Sequence, residues 1–522
     1  MAPIDVKVLG SKSSSFVNRV QIALNFKSID YEFLEETYGS KSELLLKSNP
    51  VHKKIPVMIH KEKPICESLI IVQYIDEVWT DGPSILPSDP YDRAMARFWA
   101  AYVDDKWSPT LRAVASVDGE EAKAAVLEQV MEGILLLEDA FTKCGKGKDF
   151  FGGDTIGYLD IAFGSVLGWL RVTEEMNNVK LLDETKTPGL FRWAEKFGSN
   201  AALKGVIPAT EKLVELAKMY MAKLKAQYSF GYPFGYRRRI WPPPPPPPNL
   251  TTQIQIHSNI QKKSENSNTF GYIRIGYRIG FGRIVKVLGA TPSPFVNRVQ
   301  IALNLKSVDY EFLEEKFESK SELLLKSNPV HKKIPVMIHE GNPICESLII
   351  VQYIDEVWTK GPSLLPLDPY DRAITRFWAA YVDDKWLPAM RGIRKAEGEE
   401  AKEAALEKAM EMIMLLEDAF AKCSKGKDFF GGDTIGYLDI VLGSYLGWLG
   451  ATEKMTNVRV FDETKTPGLF GWAKRFRSNV AVKDVILESE KLVELAKMFA
   501  TKAPISHSIV TNLLSLLPPT QP

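Results

Sequence analysis

Ser14 and Ser293 each stand just ahead of a helical run, Phe16-Val17-Asn18-Arg19-Val20 in one place and Phe295-Val296-Asn297-Arg298-Val299 in the other. A serine there caps the helix, and its hydroxyl, set against the positive helix terminus, can also donate to an anion. Glu67-Ser68 and Glu346-Ser347 open a second helix. Free N–H groups and a serine hydroxyl suit a carboxylate, and a glutamate suits an ammonium; a plain capping pair is the simpler alternative. Cys66 and Cys345 adjoin those pairs, as small buried hydrophobes or as targets of thiolation. His52, His60, His331 and His339 lack zinc spacing, so no metal is expected. Asp160 and Asp439, early in very apolar helices, read as structural caps. Neither a phosphate-cradling glycine loop nor a serine–histidine–acid pattern is present.

These residues need elements to hold them. Val6–Gly10 is a short apolar strand, Ser14–Asn25 a helix, and Tyr31–Leu34 alternates like a strand. Ser42–Ser48 reads as a short helix. Lys54–Ile59 and Pro64–Cys66 form two strands joined by the turn Lys61-Glu62-Lys63, and Ser68–Val78 is a helix. The order β-α-β-α-β-β-α makes a small mixed α/β domain. Beyond Asp89-Pro90 the pattern is wholly helical: Tyr91–Ser108, Glu120–Lys143, Ile156–Leu170 capped by Asp154 or Thr155, Leu190–Ser199 and Glu211–Leu224.

All of this is written twice. Val6–Met219 recurs as Val285–Met498 at a constant offset of 279 residues, which carries Trp99 to Trp378 and Trp193 to Trp472. That period is far longer than a solenoid repeat, so each copy is a complete folding unit. The expected domains are 1–83 (α/β), 89–222 (helical), 223–283 (linker), 284–362 (α/β), 368–501 (helical) and 502–522 (tail). The linker holds Pro242–Pro248 and Gly/Tyr/Arg-rich tracts and reads as a spacer. A net charge of +1, 25% charged residues and no long apolar run give no reason to expect nucleic acid or a membrane as partner. Four cysteines at two repeated positions make no disulfide framework, and the start lacks the features of a signal peptide; a reducing cytosol is expected.

Asn49-Pro50-Val51-His52-Lys53-Lys54-Ile55-Pro56 followed by Glu67-Ser68-Leu69 resembles the glutathione transferases, and more narrowly the plant tau class. The second copy begins with the closer match, Pro292-Ser293-Pro294-Phe295, and continues through Asn328–Pro335 and Glu346-Ser347-Leu348. The resemblance covers each repeat and excludes linker and tail. It implies the cytosolic glutathione transferase fold, present twice: an α/β thioredoxin-like N-terminal domain that binds glutathione, and an all-α C-terminal domain that lines the second-substrate pocket. Ser14 and Ser293 would stabilise the glutathione thiolate, because a thiol of pKa about 8.5 is mostly protonated at neutral pH. Ile55 and Ile334, before a cis proline, would offer backbone groups to the cysteinyl part. Glu67, Ser68, Glu346 and Ser347 would take the γ-glutamyl end, and Lys41, Lys54, Lys320 and Lys333 the glycine carboxylate. Phe16, Trp107, Arg112 and Trp169, with Phe295, Trp386, Arg391 and Trp448, would line the electrophile pocket, although aromatic residues at helical spacing are more often core.

The implied reaction joins reduced glutathione to a hydrophobic electrophile, with glutathione as co-substrate and neither metal nor other cofactor. A peroxidase side activity belongs to the same reading. A thiol transferase would need cysteine at Ser14 and Ser293. A non-catalytic carrier of hydrophobic ligands is the remaining alternative, more so for the first copy, where Ser13 and Ser15 replace the prolines. The implied assembly is a homodimer or a pseudo-dimer of the two copies within one chain.

Overall fold

The computed structural model describes residues 5–37, 39–229, 285–316 and 319–501. It divides into two units, Met1–Ala217 with Arg283–Pro522, and Lys218–Gly282. Both repeats lie in the first. Of the second, only the end of one helix is among the described residues, so the expected linker otherwise lies outside them.

The first repeat opens with β1 (Val6–Gly10), α1 (Ser15–Phe26), β2 (Glu32–Glu35), α2 (Glu43–Ser48), β3 (Val57–His60), β4 (Lys63–Cys66) and α3 (Ser68–Val78), the order expected. The sheet runs β2-β1-β3-β4, with β1 parallel to β2 and antiparallel to β3. Val8, Leu9, Val57, Met58 and Ile65, on both faces of the sheet, are buried in one core with Val17, Val20 and Leu24 of α1 and Ile71, Val72 and Ile75 of α3. Gly10 lets α1 cross the strand end closely: a Cβ there would lie 2.5 Å from Val17. The β3–β4 hairpin turns on Lys61 and Glu62, both with positive φ. The second repeat places Gly341 (φ 80°) where the first has Glu62.

The helical part comprises α4 (Pro90–Tyr102), α5 (Ser108–Ala113), α6 (Glu120–Gly145), α7 (Tyr158–Gly164), α8 (Leu167–Asn177), α9 (Pro188–Gly198) and α10 (Thr210–Ser229). Four features differ from expectation. The run Tyr91–Ser108 is interrupted by a π-helical turn, Val103–Trp107. Ile156–Leu170 is two helices: α7 ends at Gly164, and Ser165-Val166 forms the turn into α8. The cap of α7 is Gly157 rather than Asp154 or Thr155, because Asp160 reaches back to take its N–H (2.8 Å). Asp160 also accepts from the Phe151 and Gly152 N–H groups and the Trp193 indole, so its structural role is direct. Lastly, α10 runs to Ser229, past the expected linker start.

The second repeat follows the same plan with the sheet β6-β5-β7-β8 (β5 Val285–Gly289, β6 Tyr310–Glu314, β7 Val336–His339, β8 Asn342–Cys345). The repeats meet through reciprocal ion pairs. Arg93 and Arg97 of α4 hold Glu356 at 3.0 and 2.8 Å, while Arg372 and Arg376 hold Glu77 of α3 at 3.2 and 2.8 Å. These six residues line a cavity of about 280 Å³. Among the described residues, no helix is long and apolar enough to cross a membrane.

Candidate functional site

Strand register brings distant segments to one edge of the sheet. Leu9 pairs with Val57 and Val57 with Cys66. The end of β1, the start of antiparallel β3 and the end of β4 therefore coincide. The segments they carry are the Ser14 loop, the Ile55-Pro56 bond and Glu67-Ser68. Leu288, Val336 and Cys345 repeat this register in the second copy. Ile55-Pro56 and Ile334-Pro335 are both cis. Lys54 offers its carbonyl to the Asn49 side chain (2.9 Å), and Lys333 to Asn328 in the same way, which fixes the loop ahead of each cis bond. Lys41 is exposed and Lys320 half-buried, each one residue before the serine that caps the next helix (Ser42, Ser321).

Glu67 and Glu346 adopt positive φ (69° and 68°), a conformation costing a non-glycine residue of order 1 kcal/mol. That backbone turns the N-terminus of α3 toward the shared edge. Ser68 and Ser347 are buried, and each accepts a hydrogen bond from a buried arginine, Arg19 Nη1 (3.2 Å) or Arg298 Nη1 (3.1 Å). The arginines are fully buried and make a two-pronged pair with Asp104 (2.7 and 2.5 Å) or Asp383 (2.8 and 2.5 Å). Arg19 further donates to the Ala162 carbonyl and the Ser165 hydroxyl. One guanidinium thus ties α1 and α3 of the α/β domain to the π-turn and α7 of the helical domain.

The serine loops are held from the helical domain too. The Trp169 indole donates to the Ser13 carbonyl (2.8 Å), and Trp448 to that of Pro292 (2.7 Å). Ser14 accepts the Val17 N–H (3.4 Å) as a side-chain cap, whereas the buried Ser293 makes no such bond. Phe16 and Phe295 pack under the guanidinium of Arg19 and Arg298, each at 5.1 Å. Arg112 is exposed at its surface, partial desolvation lowering its pKa, and Nε of Arg391 is buried without a hydrogen-bond partner among the described residues. Trp107 and Trp386 are 2% and 1% exposed and sit in the core rather than at an open pocket wall. Trp107 donates to the Val130 carbonyl; the Trp386 N–H has no partner among the described residues.

Across the repeats, the His52 ring lies 5.3 Å from Phe377 and 6.1 Å from Tyr381, and His331 faces Phe98 (5.3 Å) and Tyr102 (6.3 Å). Burial, then a lysine of the opposite repeat (Lys385 or Lys106), push both histidines down to about 4. They are neutral at pH 7, so the 3.8 Å approach of His52 to Glu67 is not an ion pair there. Burial raises Cys66 and Cys345 to about 12, leaving them protonated. No group of residues able to hold a metal occurs among the described residues.

The model of the glutathione S-transferase N-terminal domain matches residues 4–77 and 284–356, and that of the C-terminal domain matches residues 120–196 and 399–475. Glutathione S-transferase U17 of Arabidopsis thaliana is 61% identical over 227 residues, 43% of this chain and 100% of the relative. The chain belongs to the glutathione S-transferase family. A crystallised tau-class glutathione S-transferase of mango, Mangifera indica, is 66% identical, covering 41% of this chain and 98% of that one, with a TM-score of 0.41. A rice glutathione S-transferase solved in complex with glutathione is 32% identical over 42% of this chain and 98% of its own, TM-score 0.39.

The sequence reading of these transferase repeats missed Arg19, Arg298, Asp104 and Asp383. The partners lie 85 residues apart, beyond any local pattern. One signal was present: an arginine on the apolar face Phe16–Leu24 has to find a buried anion.

Proposed function

We propose that each repeat joins reduced glutathione to a hydrophobic electrophile, a halide, an epoxide or an activated alkene. The observation that carries this is the convergence, in both repeats, of the serine loop, the cis-proline segment and the Glu-Ser helix start at one sheet edge. Ser14 and Ser293 donate to the glutathione sulfur and hold it as thiolate. Its proton leaves to solvent, the sulfur forms the new S–C bond, and a halide departs or a carbanion or alkoxide is protonated. Ile55 and Ile334 pair their backbone with the cysteinyl unit. Glu67-Ser68 and Glu346-Ser347 receive the ammonium and carboxylate of the γ-glutamyl end. Lys41, Lys54, Lys320 and Lys333 face the glycine carboxylate. The electrophile lies against Phe16 or Phe295. Neither metal nor other cofactor takes part.

We keep the folding units expected from the sequence, two α/β and helical pairs around a linker. We place the protein in the cytosol, where its four free cysteines stay reduced. The reciprocal ion pairs support a pseudo-dimer formed within one chain; light scattering at a single chain's mass fits it, and two or more chains as the only species refutes it. A carrier role has one observation in its favour, confined to the first repeat: Ser13 and Ser15 stand where the second loop has Pro292 and Pro294, which leaves the Ser14 loop less restricted. Conjugation of glutathione to 1-chloro-2,4-dinitrobenzene by the full chain and by Ser14→Ala with Ser293→Ala decides between the readings. Loss of nearly all turnover with glutathione binding retained supports the transferase mechanism; no turnover in either protein, with binding intact, supports the carrier.

A further inference from the structure

The repeats differ behind the aromatic wall next to the serine. In the first, positions 163 and 166 are Phe and Val; in the second, the equivalents are Leu442 and Tyr445. The aromatic ring has moved three positions, from the end of one helix to the turn before the next, with side-chain volume nearly conserved. Phe163 faces the core, stacked on Trp193 (4.9 Å) and edge-on to Trp107 (5.1 Å). Tyr445 faces the serine side. It stands perpendicular to Phe295 (5.9 Å) and edge-on to Trp386 (6.0 Å), with the Arg298 guanidinium 5.2 Å over its ring. The Tyr445 Oη accepts from Arg298 Nη2 (3.3 Å) and lies 3.5 Å from Asp383 Oδ1. Tyr445 is 2% exposed, so it reaches a substrate only through Phe295. In the first repeat Phe16 has its arginine, but no ring packs on it among the described residues.

A phenylalanine fixed by a perpendicular ring cannot turn aside for a larger ligand, whereas one without that brace can repack around it. We propose that the two repeats accept different electrophiles, the second a compact planar one and the first bulkier, flexible ones, and that Tyr445 is the positioning residue that sets the difference. This rests on the reading that the electrophile lies against Phe16 and Phe295. It makes the chain a two-specificity enzyme, in which duplication broadens the range of acceptors rather than the rate on one.

Ser14→Ala leaves the second site to be read and Ser293→Ala the first. Each is assayed with 1-chloro-2,4-dinitrobenzene, compact and planar, and 4-hydroxynonenal, long and flexible. The ratio of kcat/KM for the chloroarene over the alkenal is expected to be at least tenfold higher in the second site. Tyr445→Val in the Ser14→Ala chain moves that ratio toward the first site's, through a lower KM for the alkenal with the KM for glutathione unchanged. Tyr445→Phe keeps the ring and keeps the ratio. Phe163→Leu with Val166→Tyr in the Ser293→Ala chain raises the ratio. Equal ratios in the two single-site chains overturn the proposal. So does a Tyr445→Val variant that loses both activities by one factor along with thermal stability. If neither serine change lowers conjugation, the site reading has failed instead; Tyr445→Val in the unaltered chain is then the arm read, and an unmoved ratio there again overturns the proposal.

Discussion

The first serine loop reads Ser13-Ser14-Ser15 and the second Pro292-Ser293-Pro294, on the same backbone: Ser14 has φ −84° and ψ 115°, Ser293 φ −81° and ψ 119°. What differs is what holds that backbone and what the hydroxyl does. In the second loop two prolines restrict the chain before folding, and Thr291 binds Glu314 through its N–H (3.1 Å) and its hydroxyl (2.8 Å). In the first, Lys12 makes one long contact to Glu35 (3.4 Å), and the Ser14 oxygen is engaged by the helix. Geometry alone thus does not make the loops equivalent: the second is held by its prolines and Thr291, whereas the first leans on one long contact and on the Ser14 cap, and both hydroxyls keep an O–H to donate.

The largest expected effect tests a feature the loops share. Asp104→Ala or Asp383→Ala leaves a buried arginine uncompensated and should cost about 3–5 kcal/mol, seen as a large fall in Tm. Because Arg19 and Arg298 also hold Ser68 and Ser347, the KM for glutathione should rise in the affected repeat. Equal losses in the two repeats would confirm that this frame is common and that the difference lies in the loops.

Next come Asp160 and Asp439, which burial pushes up to about 6 against four hydrogen bonds that pull them down. Their native pKa exceeds the unfolded value of about 3.9, so the folded protein binds the proton more tightly. Their contribution to stability is present below about pH 4 and lost as pH rises through 6, on the order of 2–3 kcal/mol for each. Asp160→Asn and Asp439→Asn should each flatten the Tm-against-pH curve between pH 4 and 6. A slope unchanged in both variants would refute the assignment.

The loop difference itself is addressed by Ser13→Pro with Ser15→Pro. The second repeat shows that prolines fit this backbone, and each should add about 0.4–1 kcal/mol. In the Ser293→Ala chain turnover should rise several-fold; a gain in Tm with no gain in kcat would mean that loop order does not limit the first site. Smallest is Glu62→Gly, which gives the first hairpin turn the residue the second has in Gly341 and should add about 0.5–1 kcal/mol without altering turnover.

Much of this was legible in the sequence because local periodicity decides it: the β-α-β-α-β-β-α order, the Ser68–Val78 helix and the repeat. Composition could not locate the break at Ser165-Val166, since a run apolar on all sides looks like one helix whether or not it bends. Nor could it show the Val103–Trp107 π-turn, which carries Asp104, the partner of Arg19, and has no sequence period of its own. Trp107 illustrates the converse. Family likeness put it at the electrophile, whereas its contacts with Phe163 and the Val130 carbonyl put it in the core. The convergence of Ser14, Ile55 and Glu67 was legible only as likeness; strand register supplies its physical cause.

Two serines on one backbone geometry are held unequally, and the direct test is glutathione conjugation to 1-chloro-2,4-dinitrobenzene by Ser14→Ala beside Ser293→Ala. The account predicts that Ser293→Ala removes the larger share of turnover and Ser14→Ala the smaller, with both proteins still binding glutathione. Equal shares, or a larger loss from Ser14→Ala, would contradict it.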